Sequence, residues 1–158
     1  MLSKIQGVAK DISKGEWIIG SNYGHEALEE KRHIRAVELD KVAPENPVMI
    51  VHSSGHMSVV NTCALMLAAE SGFDVNMKEV EKENGVPTGL LLETAHFVML
   101  KKTPLVPDDE ELISGIENFS KGMVKRGITS AHDAGGYGQA TFRTLQKAKA
   151  RGFLNCRT

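Results

Sequence analysis

The sequence lacks the residue patterns that nucleic-acid-binding, membrane and secreted proteins require. Aromatic residues make up 5% of its 158 residues, which argues against a surface on which nucleic-acid bases stack. Its 19 basic and 20 acidic residues nearly cancel, so no net field would attract nucleic acid or an anionic membrane. It also has no apolar run of bilayer-spanning length and no signal-peptide core. We therefore expect a cytoplasmic protein with neither nucleic acid nor a membrane as partner.

Cysteine is scarce as well. Cys63 and Cys156 lie far apart and lack the short spacing of a metal-ligand pair, which predicts free thiols in the core. What the chain does contain, 41% hydrophobic and 25% charged residues, is typical of a globular domain large enough to bury a core.

The C-terminal third of the sequence alternates between helical and extended patterns. Residues 108–126 predict an amphipathic helix that Asp108 caps, with Glu111 three residues later. After a short apolar run, a second helix is predicted over residues 139–151 and a second extended segment over residues 153–157. Helix, strand, helix and strand in this order form the repeating unit of a parallel α/β sheet or barrel.

The turn between this first strand and the second helix carries polar residues. Residues 128–131 are apolar and largely β-branched, so His132 and Asp133 stand at the C-terminal end of a predicted strand. Sites in parallel α/β folds are built at that end of the strands. Asp and His also cap helices and close turns, so a structural role for the two residues stays open.

Further candidates lie in the first third of the chain. Residues 15–20 predict a strand bearing Trp17, which would either line a pocket or, as tryptophan more often does, enter the core. Residues 25–33, HEALEEKRH, are dense in charge at helical spacing and predict a solvated helix face. The apolar run VMIVH predicts a strand that ends at His52.

His52 and His56 are four residues apart, and on a helix they would share one face as metal ligands do. A strand ends at the first and a Ser-Ser-Gly turn precedes the second, so helical geometry is not expected between them. We favour a substrate-facing or turn-stabilising role for His56 over a metal pair. From Ser58 onward, a helix with a buried stripe is predicted as far as Ala68.

A carboxylate follows the next apolar segment. Residues 74–84 predict a surface excursion that ends in a tight turn at Asn84 and Gly85. Residues 88–93 then predict a buried strand that ends at Glu93. Burying a lone carboxylate behind three leucines is very costly, so this group has to be paired, coordinated to a metal or exposed.

Four phrases, in this order, resemble one family: GEWIIGSNYGHEAL, ELDKVAPENPVMIVHSSGHMSVVNTCAL, GVPTGLLLETA and GITSAHDAG. Together they resemble the metal-dependent amidohydrolase superfamily, in the family-3 branch that includes N-substituted formamide deformylase. The similarity spans nearly the whole chain. It implies a distorted (β/α)8 TIM barrel whose divalent metal, expected to be zinc, serves to hydrolyse amide or other non-peptide C–N bonds of small molecules.

The resemblance also implies what this chain contributes to such an enzyme. Residues 1–14 would form a barrel helix, residues 15–107 an inserted α/β subdomain and residues 108–158 a barrel helix-strand-helix-strand piece, with parallel strands throughout. The small β-sandwich and the His-x-His metal pair of the family have no match in the sequence. We therefore expect a single internal fragment of an α/β amidohydrolase domain, a partial (β/α)8 barrel.

Site residues follow from the same resemblance. We expect Glu93 to lie nearest the metal and His56, His132 and Asp133 to lie at the rim of the substrate pocket, with Trp17 as a further substrate-binding candidate. Because most metal ligands are missing, the isolated chain is expected to bind no metal and to be inactive. Uncovered barrel edges predict a homo-oligomer. The alternative is a stand-alone, non-catalytic α/β module that binds a small ligand or a protein.

Overall fold

The computed structural model describes residues 1–105, 107–132 and 139–158, with the side chain of Ala140 left out. The chain divides into two compact units, Met1–Leu105 and Val106–Thr158. Among the described residues, no helix is both long enough and apolar enough to cross a membrane.

The first unit is built on a five-stranded sheet. Its strands are β1 Ile18–Tyr23, β2 Val48–His52, β3 Met57–Val60, β4 Val80–Glu83 and β5 Val86–Leu92, and its helices are α1 Leu2–Asp11, α2 Ala36–Val42, α3 Thr62–Glu70 and α4 Glu93–Leu100. The strand order is β1-β2-β3-β5-β4.

This sheet is mixed, so the prediction of parallel strands throughout was wrong. Only β1 and β2 run parallel, whereas β2 with β3, β3 with β5 and β5 with β4 are antiparallel. For β2 with β3 and for β4 with β5, the reason is loop length. Short turns join β2 to β3 and β4 to β5, and a parallel connection needs a crossover of a dozen residues or more.

Both faces of the sheet are buried against helices. On one face, Ile50 of β2 belongs to a core cluster with Ile5 of α1 and Leu39 of α2. On the other face, its neighbour Met49 clusters with residues of α3 and with Met99 of α4. Successive residues of β2 therefore point to opposite cores, and the unit has three layers, helices over sheet over helices.

Strand β3 occupies part of the segment predicted to be the start of a helix. Its residues Val59 and Val60 are both buried, one in each core cluster, because β3 is an inner strand of the sheet. A strand buried on both faces shows no alternation of apolar and polar residues, so its pattern cannot be told from that of a buried helix. Helix α3 starts only at Thr62, where Asn61 accepts a hydrogen bond from the backbone N–H of Ala64 at 3.0 Å.

Strand β4 lies within the predicted surface excursion. It forms a hairpin with β5 through Asn84 and Gly85, whose φ angles of 51° and 81° confirm the predicted tight turn. Three of its four residues are exposed, as is usual for an outer strand. That exposure is why the sequence VEKE gave no apolar signal for a strand.

The second unit contains two helices, α5 Asp109–Lys125 and α6 Gln139–Ala150. The predicted cap of α5 is confirmed: Oδ1 of Asp108 accepts from the backbone N–H of Glu111 at 2.8 Å, and Oε2 of Glu111 accepts from the backbone N–H of Asp108 at 3.0 Å. The two strands expected over residues 128–131 and 153–157 shrink to one parallel bridge within the described part of this unit. That bridge joins residues 130 and 157, with the backbone N–H of residue 131 donating to the carbonyl of residue 157 at 2.7 Å.

Candidate functional site

Polar side chains collect at one edge of the sheet in the first unit. β1 ends there at Tyr23 beside the end of β2 at His52. Because β3 and β5 run antiparallel, β3 begins at the same edge at Met57, opposite the end of β5 at Leu92. The residues next to these four strand ends therefore lie side by side along this edge of the sheet.

His56 and Glu93 face each other at this edge. The backbone N–H of Glu93 donates to the carbonyl of His56 at 2.8 Å, and Nδ1 of His56 lies 3.1 Å from Oε2 of Glu93. Their side chains are 57% and 64% exposed. The ring of Phe97 stands edge-on to the imidazole, with centroids 5.9 Å apart. The sequence singled out the two residues separately, and the fold brings them into contact with open access to solvent.

The backbone of Glu93 is unusual. Its φ is 40°, in the left-handed region, although it is not glycine and it begins α4. For an L-residue this conformation costs about 1–2 kcal/mol. It occurs where the chain passes from Leu92, which is paired in the sheet, directly into α4. Outliers of this kind are typical of positions where a side chain is aimed for function.

His96 lies beneath this pair, one turn into α4. It is 1% exposed, and its Nδ1 is 3.0 Å from Oγ of Ser58. Burial is the main cause that lowers the pKa of His96, which keeps the imidazole neutral. This histidine supports the two strands from the core and does not reach solvent.

Three histidines lie at the neighbouring ends of β1 and β2. The ring centroids of His25 and His33 are 4.0 Å apart, and those of His25 and His52 are 5.3 Å apart. Nδ1 of His25 is 3.3 Å from Nε2 of His52. The carboxylate of Glu26 faces both rings, 3.4 Å from Nε2 of His25 and 3.9 Å from Nε2 of His52.

Neighbouring groups fix these rings. The hydroxyl of Tyr23 is 2.9 Å from Nδ1 of His33, and burial, followed by the nearby carboxylate of Glu26, raises the pKa of Tyr23 to about 12, so the phenol stays protonated. Burial and then the neighbouring imidazoles lower the pKa of His33. Oγ of Ser54 is 2.9 Å from Nδ1 of His52, and the backbone N–H of Ser54 donates to that nitrogen at 3.1 Å.

Sequence reasoning missed this histidine cluster. Residues 25–33 were predicted to form a solvated helix face, but within them only His25–Ala27 form one short 3-10 turn. The rest of the segment loops back so that His25 and His33 both reach His52. This meeting depends on the parallel pairing of β1 with β2, a long-range contact for which the histidine spacing offers no signal.

The other predicted site residues lie elsewhere or outside the described residues. Trp17 is half-buried and packs against the second core cluster of the first unit. His132 is exposed in the second unit, where it lines a cavity of about 700 Å³ with Ile116 and Phe119. Asp133 is not among the described residues.

Comparison with known proteins decides the family. The family model described as "Amidohydrolase family" matches residues 1–158. The chain belongs to the amidohydrolase family. "Putative amidohydrolase YtcJ" of Bacillus subtilis (strain 168) is 30% identical over 156 residues, which cover 90% of this chain and 28% of that protein. "N-substituted formamide deformylase" of Arthrobacter pascens is 34% identical over 98 residues, which cover 60% of this chain and 18% of that enzyme.

Solved structures show the same fold. An uncharacterized metal-dependent hydrolase from Pyrococcus horikoshii OT3 matches with a TM-score of 0.56 and 19% identity, over 98% of this amidohydrolase chain and 29% of that chain. One from Pyrococcus furiosus matches with a TM-score of 0.54 and 17% identity. The amidohydrolase chain thus spans about a quarter of the length of its relatives, and the resemblance inferred from the four sequence phrases is confirmed.

The side chains at the sheet edge fit the divalent metal that the family implies. Imidazole and carboxylate are the ligands that catalytic zinc sites combine. His56 and Glu93 offer one of each. His25, Glu26 and His52 offer three, with ligand atoms that all lie within 4.8 Å of one another.

Proposed function

We propose that this chain is part of a metal-dependent amidohydrolase that cleaves amide or other non-peptide C–N bonds of small molecules. The observation that carries the proposal is the contact of His56 with Glu93 at the sheet edge, in a chain matched over its whole length by the amidohydrolase family. The names of its relatives support the reaction class, since one is a deformylase of N-substituted formamides and others are metal-dependent hydrolases.

In the proposed site, Glu93 is a metal ligand and His56 contacts the substrate. A divalent metal bound there would serve to polarise the scissile carbonyl and to lower the pKa of a bound water. Oε2 of Glu93 accepts the Nδ1 proton of His56 at 3.1 Å, which fixes the tautomer and leaves Nε2 as an acceptor. That nitrogen can take a hydrogen bond from the N–H of a substrate amide and so orient it.

The isolated chain should not turn over substrate by itself. A catalytic zinc site uses three protein ligands and an open position. At the corner formed by His56 and Glu93, Glu93 is the proposed metal ligand and His56, in contact with it, is the proposed substrate contact. The remaining ligands would have to come from outside the described residues. Trp17, His132 and Asp133 stay predictions for substrate binding, and the helix-bridge-helix order of the second unit supports its proposed place in a (β/α)8 barrel.

Self-association of the chain is proposed on separate grounds. β1 and β4 are the outer strands of the sheet, and an uncovered outer strand can pair with a second chain. Light scattering over a range of concentrations should show a dimer or larger species. A monomer at every concentration would contradict this part of the proposal.

A segment exchange tests the proposed reaction. Residues 15–95 replace the equivalent segment of the Arthrobacter pascens deformylase, and formate release from N-substituted formamides is measured with metal and after chelation. We expect metal-dependent formate release from the exchanged enzyme and no turnover from the isolated chain with added zinc. An exchanged enzyme that folds and holds metal but releases no formate would contradict the proposal. Turnover by the isolated chain would contradict the need for further ligands.

A further inference from the structure

We propose that His25, Glu26 and His52 form a second metal site, which binds one divalent transition-metal ion of the zinc class independently of His56 and Glu93. The inference goes beyond the proposed hydrolase function and departs from the expectation that the isolated chain binds no metal. It is carried by the placement of two imidazoles and a carboxylate around one point at the ends of β1 and β2.

The spacing of the ligand atoms fits a tetrahedral ion. Two imidazole nitrogens that bind zinc at about 2.0–2.1 Å in a tetrahedron lie about 3.3 Å from each other. Nδ1 of His25 and Nε2 of His52 are 3.3 Å apart. Oε2 of Glu26 is 3.9 Å from the same nitrogen of His52, and one ligand atom from each of the three residues lies within 4.8 Å of the other two. Glu26 is largely exposed, so solvent reaches this side of the cluster.

His52 is held as metal-binding histidines are held. It is 8% exposed at the end of β2, so its ring has little freedom. In the metal-free chain the backbone N–H of Ser54 donates to its Nδ1, and Nε2 therefore carries the proton that points toward His25. Metal binding at Nε2 would require the other tautomer, in which that proton lies on Nδ1 and the hydrogen bond from the backbone N–H of Ser54 is lost. Oγ of Ser54, 2.9 Å from Nδ1, would then accept the Nδ1 proton, the outer contact that orients a ligating imidazole.

His25 is positioned by its neighbours too. The ring of His33 lies at a centroid distance of 4.0 Å with planes 33° apart, and the hydroxyl of Tyr23 holds His33 in turn. A metal at this point would connect the 3-10 turn after β1 to the end of β2. Binding should therefore raise the thermal midpoint of the first unit as well as give a spectroscopic signal.

Metal binding by the purified chain tests the site. Metal-free protein is titrated with Zn²⁺ in a calorimeter and with Co²⁺ in a spectrophotometer. We expect one equivalent of Zn²⁺, a rise in thermal midpoint and the visible absorption of tetrahedral Co²⁺. His25→Ala and Glu26→Gln should each weaken binding by at least about 10-fold. Glu26 is largely exposed and His25 is partly exposed, and circular dichroism checks that both variants fold.

The matched controls are His56→Ala and Glu93→Gln, which should leave the affinity within about twofold of the unaltered chain. If Glu93→Gln abolishes binding while His25→Ala does not, the metal sits at the other corner, which would overturn this inference and support the proposed hydrolase site. If neither the unaltered chain nor any variant binds Zn²⁺ or Co²⁺, the proposal of a second metal site is wrong. The proposed hydrolase function is unaffected by that result.

Discussion

Gly89 lies so close to Val60 that a Cβ atom built at residue 89 would come within 2.4 Å of the Val60 carbonyl oxygen and 2.9 Å of the Ala36 Cβ. Its φ of 95° is also a conformation that L-residues rarely adopt. We predict that Gly89→Ala lowers the free energy of unfolding of the first unit by more than about 2 kcal/mol. Urea unfolding followed by circular dichroism measures this loss.

Gly115 is the matched control in the second unit. It lies inside α5, and nothing lies within 4 Å of the position its Cβ would take. Gly115→Ala should stabilise its unit by about 0.5–1 kcal/mol, because alanine favours a helix over glycine by that amount. An unchanged unfolding midpoint for Gly89→Ala would show that the backbone contact is not as close as the structure has it.

Asn61 ties together the start of α3, the start of β2 and the loop before it. The residue is fully buried. Its Oδ1 accepts from the backbone N–H groups of Val48 and Ala64 at 2.9 and 3.0 Å, and its Nδ2 donates to the carbonyls of Ala43 and Asn46 at 3.1 and 2.9 Å. Asn61→Ala would remove these four buried hydrogen bonds. We predict a loss of at least about 3 kcal/mol in the free energy of unfolding.

The control for this prediction is Asn76→Ala. Asn76 is exposed, and its side chain accepts one hydrogen bond, from Lys82 at 3.0 Å. This variant should stay within about 0.5 kcal/mol of the unaltered chain. Similar unfolding midpoints for the two alanine variants would be inconsistent with the role given to Asn61.

The left-handed backbone of Glu93 predicts a difference between two substitutions. Glu93→Gly and Glu93→Ala both remove the carboxylate, but only glycine adopts a φ of 40° without strain. We expect the glycine variant to be more stable than the alanine variant by about 1 kcal/mol, in spite of the lower helix propensity of glycine. Equal or reversed stability in urea unfolding would mean that the conformation is not strained.

Acid should weaken the first unit through Glu38. Its two carboxylate oxygens accept from the guanidinium of Arg32 at 2.8 and 2.9 Å, and one also accepts from the backbone N–H of Arg35 at 2.9 Å. The Arg32 hydrogen bonds are the main cause that lowers the pKa of Glu38 from 4.5 to about 2. The folded state therefore holds this proton more weakly than the unfolded state.

The sign of the effect follows from this difference. The stabilisation by Glu38 is fully present above about pH 4.5 and is lost as the pH falls toward about 2. Glu38→Gln should have a lower free energy of unfolding than the unaltered chain near neutral pH. Between about pH 4.5 and about 2, its free energy of unfolding should fall less steeply. Arg32→Gln should flatten the same part of the curve, since it removes the main partner. A curve for Glu38→Gln parallel to that of the unaltered chain would contradict the assignment.

Local signals allowed much of the secondary structure to be predicted. Asp108 and Glu111 form the cap that their spacing indicated, and Asn84 with Gly85 forms the turn that their residue types indicated. Each of these depends on contacts between residues close in the sequence. Val59 and Val60 gave no such signal, because a strand buried on both faces lacks the alternation that separates strand from helix.

In the candidate site, too, the residue types could be predicted from local signals, whereas the contacts between them could not. Glu93 and His56 were chosen for their chemistry and their place after apolar runs, but their contact results from the pairing of β3 with β5. His25 and His33 escaped notice because neither is near His52 in the sequence. The parallel pairing of β1 with β2 brings them there, and strand pairing is decided by packing of both sheet faces rather than by local propensity.

The central claim is that Glu93 belongs to the reaction site of a metal-dependent hydrolase. The most direct test is kcat/KM for formate release by the exchanged deformylase with Glu93→Gln, compared with Glu83→Gln, an exposed carboxylate on β4. We predict that kcat/KM falls at least about 100-fold for Glu93→Gln and stays within about twofold for Glu83→Gln. Equal values of kcat/KM for the two folded variants would contradict it.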